Sequence, residues 1–334
     1  MVMIGGTSSV RLVLVALLFW SSVFCSKARV VWWLHIGDTF DENLKTLSHH
    51  RGVVTSLQVF SANFTINNET GALDLPPEKD TLAWLGRVRS ELGGDVEVFI
   101  VLGTGHWRRS GPVDPFPSAI MSRETEERFS RSAQDAAMRY NLTGYNIDWE
   151  NGWNINRTCG SPKCTTHVLA DVIRTLSSSV AVTLCVDVGD PLCNFTSKPT
   201  DPSAPWYGPC GYLDVGAMPY YIAAGVSRVQ QMGTYPLKPP FSEERQAIMV
   251  DRVIDAVGGD PERVGIGISF QAHRFGNQEN DTAWSEGRLK VFFEHLRKRR
   301  VSEVDMFVGK EHQLEEMPGY FWDQLQAFEG RKTE

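Results

Sequence analysis

Two carboxylates, Asp148 and Glu150, stand two residues apart in the stretch Gly144-Tyr145-Asn146-Ile147-Asp148-Trp149-Glu150. Side chains alternate along a strand, so Asn146, Asp148 and Glu150 share one face while Tyr145, Ile147 and Trp149 take the other. The second face is large and apolar, as a strand lying under a helix layer requires. The first is polar, and two unpaired acids inside an ordinary core would be costly. Carboxylates that point inward at the C-terminal end of a strand therefore mark a candidate site for acid–base chemistry. The competing reading is a surface alternation on an edge strand, which the apolar opposite face argues against.

The segments around this strand alternate in type. Strands are expected at Arg29–Ile36, Val53–Phe60, Val96–Leu102, Gly144–Glu150, Val180–Val186, Tyr212–Tyr220, Val264–Phe270 and Val304–Val308. Between them, apolar residues recur at helical spacing. Leu82, Leu85, Val88 and Leu92 form one stripe, stopped by Gly93-Gly94. Ser122 caps a helix with Glu124, Glu126 and Glu127 in its first turn and a stripe of Phe129, Ala133, Ala136, Ala137 and Tyr140. Further helices are expected at Thr39–Leu47, Thr166–Leu176, Ser242–Val257, Trp284–Arg299 and Gly319–Phe328. About eight βα units in one pass predict an α/β protein built as a single (β/α)8 TIM barrel over residues 27–334. Sites in that fold lie at the C-terminal strand ends, where Asp148 and Glu150 fall. An open doubly wound sheet is the structural alternative, but no Gly-rich phosphate loop follows the first strand.

Composition narrows the class. The 334 residues are 42% hydrophobic and 22% charged, with 33 Lys+Arg against 40 Asp+Glu and a net charge of −7. That argues against a nucleic-acid partner, which wants a basic patch. Residues 1–26 resemble a signal peptide: Arg11, an apolar run from Leu12 to Phe24, and Val23 and Cys25 before a cleavage point at Ser26. An uncleaved anchor is the alternative. No later segment is apolar enough to span a bilayer, so no membrane partner is expected after cleavage. Sequons at Asn63, Asn68, Asn156, Asn194 and Asn280 fit secretory entry as glycosylation sites; Asn141 also matches, but Thr143 leads straight into the central strand. The destination expected is the secretory pathway, either lysosomal or vacuolar or extracellular. Cys159 with Cys164 and Cys193 with Cys210 are candidate disulfides, while Cys185 inside an apolar strand suits a buried free thiol. His35, His106 and His273 are scattered, and no spacing asks for a metal or other cofactor.

The central strand resembles the D-G-x-D-x-D-x-E signature of family 18 glycoside hydrolases, the chitinase family. Here it is Thr143-Gly144-Tyr145-Asn146-Ile147-Asp148-Trp149-Glu150. Thr143 and Asn146 replace the first two acids. The Asn-Ile-Asp-x-Glu wording is similar to the lysosomal di-N-acetylchitobiase branch. Met218-Pro219-Tyr220-Tyr221 resembles the family's M-x-Y-D motif of the sixth strand, with Tyr for the acid. Leu102-Gly103-Thr104-Gly105 loosely echoes its Gly-Gly motif, and Met306-Phe307 stands where the family places a Trp under the sugar.

The resemblance implies a substrate-assisted, retaining reaction on β-linked N-acetylglucosamine (GlcNAc), in which the acetamido oxygen attacks its own anomeric carbon. Glu150 would be the acid and then the base, Asp148 would hold the acetamido N–H, and Tyr220 would donate to its carbonyl. Asn146, Met218, Tyr221, Trp153, Phe307 and Trp206 are the implied substrate contacts. Trp153 and Trp206 are equally suited to packing. Of Trp32 and Trp33, one is expected in the core and one inside the barrel. His273 and Arg274 follow the seventh strand and suit a solvated loop. Since Asn146 carries no charge, Asp148 is expected to ionise readily and activity to prefer mildly acidic pH. The partner expected is a GlcNAc oligosaccharide or an N-glycan core, met by a monomer without cofactor. The rival from another class is a chitin-binding lectin on the same barrel; such proteins usually lack the acid that Glu150 supplies.

Overall fold

A computed structural model of the chain describes residues 28–60, 62–67, 69–103, 122–148, 165–186, 218–232, 243–270, 284–309 and 313–330. Ten strands occur among them: β1 Arg29–His35, β2 Ser56–Phe60, β3 Thr65–Ile66, β4 Leu73–Asp74, β5 Glu97–Gly103, β6 Gly144–Asp148, β7 Ala181–Val186, β8 Arg228–Gln231, β9 Val264–Ile268 and β10 Glu303–Phe307. The helices are α1 Phe40–His49, α2 Glu78–Leu92, α3 Arg123–Tyr140, α4 Thr165–Ser177, α5 Met218–Ala224, α6 Glu243–Ala256, α7 Glu286–Lys298 and α8 Gly319–Glu329. Eight strands pair in parallel in the order β1-β10-β9-β8-β7-β6-β5-β2 and close on themselves, while β3 and β4 form a small hairpin. This is a (β/α)8 TIM barrel.

The helices follow from local pattern. In α3 the Ser122 side chain accepts from Thr125 N at 3.1 Å and Thr125 Oγ1 accepts from Ser122 N at 3.2 Å, a reciprocal cap. Its expected stripe of Phe129, Ala133, Ala136, Ala137 and Tyr140 is buried throughout. In α2, Thr81, Trp84, Leu85, Val88 and Leu92 are buried, but Leu82 lies half exposed on the opposite side. Each fully buried Leu or Phe contributes roughly 2 kcal/mol to folding.

Trp32 and Trp33 divide as alternation demands. Trp32 turns outward, donating to Val53 O at 2.8 Å and lying 5.3 Å from the Trp322 ring of α8. Trp33 turns inward, donating to Asp305 Oδ1 at 3.0 Å. On β6, Tyr145 donates its hydroxyl to Ala133 O of α3 at 2.7 Å, and Ile147 is buried beside it. Asn146 therefore faces the barrel interior, and Asp148 shares that face. Gly144 is required for closure. A Cβ there would stand 1.8 Å from Ala181 O, so β6 and β7 approach as closely as they do because no side chain intervenes.

The expected strand over Tyr212–Tyr220 is corrected at Met218–Tyr220, its first six residues lying outside the described ones. Met218–Tyr221 lies in α5, and the sixth barrel strand is β8, Arg228–Gln231, paired with β7 and β9. A short apolar run of this kind satisfies either period, and here Met218, Tyr221 and Ala224 line one helical face.

Candidate active site

The N-terminal end of the barrel is closed by charge. Arg29 bonds Glu97 and donates to Glu303 Oε2 at 2.9 Å, and Arg228 pairs with the same Glu303 oxygen at 3.1 Å. Thr143, standing where the signature has its first acid, also works at this end: its hydroxyl accepts from Val98 N at 3.0 Å and pins β5 to β6.

Above this layer the interior is polar. Asn146 Nδ2 donates to Thr183 Oγ1 at 2.8 Å and to Gln230 Oε1 at 2.7 Å. Gln230 Nε2 donates to Asp305 Oδ1 at 2.6 Å and to Glu303 Oε1 at 3.0 Å. Gln58 Nε2 reaches Thr183 Oγ1 at 3.4 Å. Gly265 leaves room for the two acids, since a Cβ there would lie 2.2 Å from Asp305 Oδ2 and 2.7 Å from Glu303 Oε1. Burial, and then the Glu303 charge, push the Asp305 carboxyl well above its ordinary pKa.

The C-terminal end carries Asp148 and an aromatic group. Asp148 pairs in register with Gly103 and Cys185. Its Oδ1 is enclosed without a hydrogen-bond partner among the described residues. Burial raises its pKa to about 6, opposed by a hydrogen bond from Cys185. Burial thus opposes the expected easy ionisation, and the Asn146 amide nitrogen is engaged by Thr183 and Gln230. At the same end of the barrel, on β1, β2 and β10, the His35 ring stacks on Phe60 at 4.5 Å, and Phe307 meets His35 edge-on at 6.0 Å and Phe60 at 6.1 Å. Trp33 lies 5.4 Å from Phe60 one layer down. An acid held partly protonated near an apolar aromatic floor suits a neutral ring-shaped substrate such as a sugar.

The expected site residues separate into three groups. Asp148 and Phe307 both stand at the C-terminal ends of their strands, on β6 and β10. Asn146 is wholly enclosed, so its expected substrate contact is corrected to a role in the barrel wall. Met218 and Tyr221 are likewise buried under the helix layer, and Tyr220 is 54% exposed on α5, so the motif they form does not stand at a strand end. Glu150, Trp153 and Trp206, with Cys159, Cys164, Cys193, Cys210, Asn68, Asn156, Asn194, Asn280, His273 and Arg274, lie outside the described residues. Cys185 is a buried free thiol, as expected. Asn63 is exposed with φ 56°, and Asn141 caps α3 with φ 49°. No group of His, Cys, Asp and Glu suited to a metal occurs among the described residues.

Sequence reasoning missed Gln58, Thr183, Gln230 and Asp305. The available signal was alternation: Gln58, Thr183 and Asp305 each stand between apolar neighbours on a strand, whereas Arg228–Gln231, rich in polar residues, offered none for Gln230.

No family model matches the chain, and no curated protein matches it in sequence. Solved structures do. A family GH18 chitinase from Cycas revoluta, in complex with allosamidin, superposes with a TM-score of 0.60 at 15% identity, over 91% of this chain and 100% of that one. A class V chitinase from Pseudomonas fluorescens Pf-5 gives 0.60 at 12% identity, over 90% of this chain and 99% of that one. The Bacillus cereus spore cortex-lytic enzyme SleL gives 0.59 at 13% identity, over 90% and 74% respectively. At these identities the likeness establishes the fold.

Proposed function

We propose that the chain is a family 18-type retaining glycoside hydrolase that cleaves β-linked GlcNAc, in chitooligosaccharides or the chitobiose core of N-glycans, by substrate-assisted catalysis. The observation that carries this reading is the place of Asp148: an inward carboxyl at the C-terminal end of a barrel strand, the same end that carries the aromatic cluster of His35, Phe60 and Phe307. The Cycas revoluta chitinase of the same fold was crystallised with (GlcNAc)3. The signature wording favours the di-N-acetylchitobiase branch.

In this mechanism the substrate's acetamido oxygen displaces the leaving group, so no protein nucleophile is needed. Glu150 protonates the departing glycosidic oxygen and then takes a proton from water. Ionised Asp148 accepts the acetamido N–H and offsets the positive charge of the oxazolinium. Phe307 and Phe60 supply the apolar floor. The product is a reducing GlcNAc sugar with retained configuration. After cleavage of residues 1–26 the protein works in the secretory pathway as a monomeric glycoprotein.

The lectin reading keeps one specific support: the Met218–Tyr221 motif lies on a helix, and its Met218 and Tyr221 side chains are buried. The two readings part in one experiment. Purified protein is given a fluorogenic chitobioside, with Glu150→Gln as control. Hydrolysis by the wild type and none by the variant is expected. Binding of (GlcNAc)3 without hydrolysis by either would replace the enzyme with the lectin.

A further inference from the structure

The amides inside the barrel are oriented by their partners. Side-chain amide nitrogen and oxygen are told apart by what they face. Asp305 Oδ1 already accepts from the Trp33 indole N–H, which can only donate. Glu303 Oε2 already accepts from Arg29 and faces Arg228. Gln230 must therefore turn its NH2 group to Asp305 Oδ1 and Glu303 Oε1, and its two hydrogens are consumed there. Its carbonyl is left for Asn146, which must answer with its own NH2. The second Asn146 hydrogen goes to Thr183. Asn146 Oδ1 remains, buried and without a partner among the described residues, and the next inward residue along the strand is Asp148.

We infer that Gln230 is a positioning residue that locks the Asn146 amide with its carbonyl, rather than its NH2, on the Asp148 side. The inference rests on the proposed role of Asp148 and adds a determinant two strands away. An acceptor beside Asp148 hydrogen-bonds the protonated acid and repels the ionised one. Among the described residues, the ionisable groups that face the interior with Asp148 are Cys185 on β7, Arg29 and His35 on β1, Glu97 on β5, Arg228 on β8, and Glu303 with Asp305 on β10.

Two measurements test this without reading turnover. Neutron diffraction on deuterated wild-type crystals should place the Asn146 deuterons toward Gln230 Oε1 and Thr183 Oγ1; deuterons toward Asp148 would overturn the inference. Gln230→Met removes the acceptor and frees Asn146 to present its NH2 group. Carbon-13 NMR of the Asp148 carboxyl should then show proton affinity falling about tenfold. A folded variant with unchanged Asp148 titration would also overturn it. If Gln230→Met does not fold, the diffraction result alone decides. If neither protein hydrolyses chitobioside but both measurements come out as expected, the lock stands and the hydrolase reading fails.

Discussion

The indole nitrogen of Trp33 donates to Asp305 Oδ1 at 3.0 Å, tying the first barrel strand to the last across 272 residues of sequence. The bond leaves Asp305 Oδ2 buried and without a partner among the described residues, close to Glu303 Oε1. An acid in that setting destabilises the fold when it ionises.

Asp305→Asn should therefore stabilise the protein. The amide keeps an oxygen for Trp33 and Gln230, and its NH2 can donate to Glu303. Asp305 has a pKa raised by burial, so its contribution is present below the unfolded value and lost as pH rises through the folded one. The gain in stability should be larger at pH 8 than at pH 4, reaching about 1–3 kcal/mol. Thermal unfolding at the two pH values checks this; a lower Tm at pH 8 would count against it.

Asp148 sets the acid limb of activity. Burial holds its carboxyl at about 6, and the proposed chemistry uses the ionised form. kcat/KM should rise with pH through about 6 and fall again as Glu150 loses its proton. The gap from the ordinary 3.8 corresponds to roughly 3 kcal/mol, which the fold loses as pH rises through about 6. Asp148→Asn should lower kcat by about 100-fold or more while raising Tm at pH 7.5. A pH profile rising steadily to pH 9, or an unaffected kcat, would contradict the assignment.

Gly144→Ala should prevent folding or cost about 3 kcal/mol or more, because its Cβ would meet the backbone of β7 at 1.8 Å. Neither strand can retreat without opening the barrel. Urea unfolding of any soluble fraction gives the number, and a variant as stable as the wild type would show that β6 can shift.

Phe307→Ala should raise KM for a chitobioside up to about tenfold and leave kcat nearly unchanged, the loss expected of one stacked ring. Phe307→Trp should restore or tighten binding. An unchanged KM in the Ala variant would move the sugar floor to Phe60 or beyond the described residues.

Much of the architecture is legible in local periodicity. The split of Trp32 and Trp33, the inward turn of Asn146 and Asp148, and the stripe of α3 each depend on residues two to four apart. The eight parallel strands follow from repeated βα units. Two local signals misled. Leu82 fits the spacing of its neighbours but lies toward solvent on α2. Arg228–Gln231 did not look like a strand, because its inward residues are an Arg and a Gln that satisfy acids on β10.

The chain by itself determined which residues face inward, since backbone geometry alternates side chains whatever the partners are. What those residues do was decided by closure of the barrel. Asn146 meets Gln230 across 84 positions, and Gln230 meets Asp305 across 75. Only that meeting engages the Asn146 nitrogen, and only closure of the barrel buries Asp148 and so opposes its ionisation. A buried amide has two ends of opposite polarity, and the end it shows to a neighbour is fixed by partners that no local stretch of sequence contains.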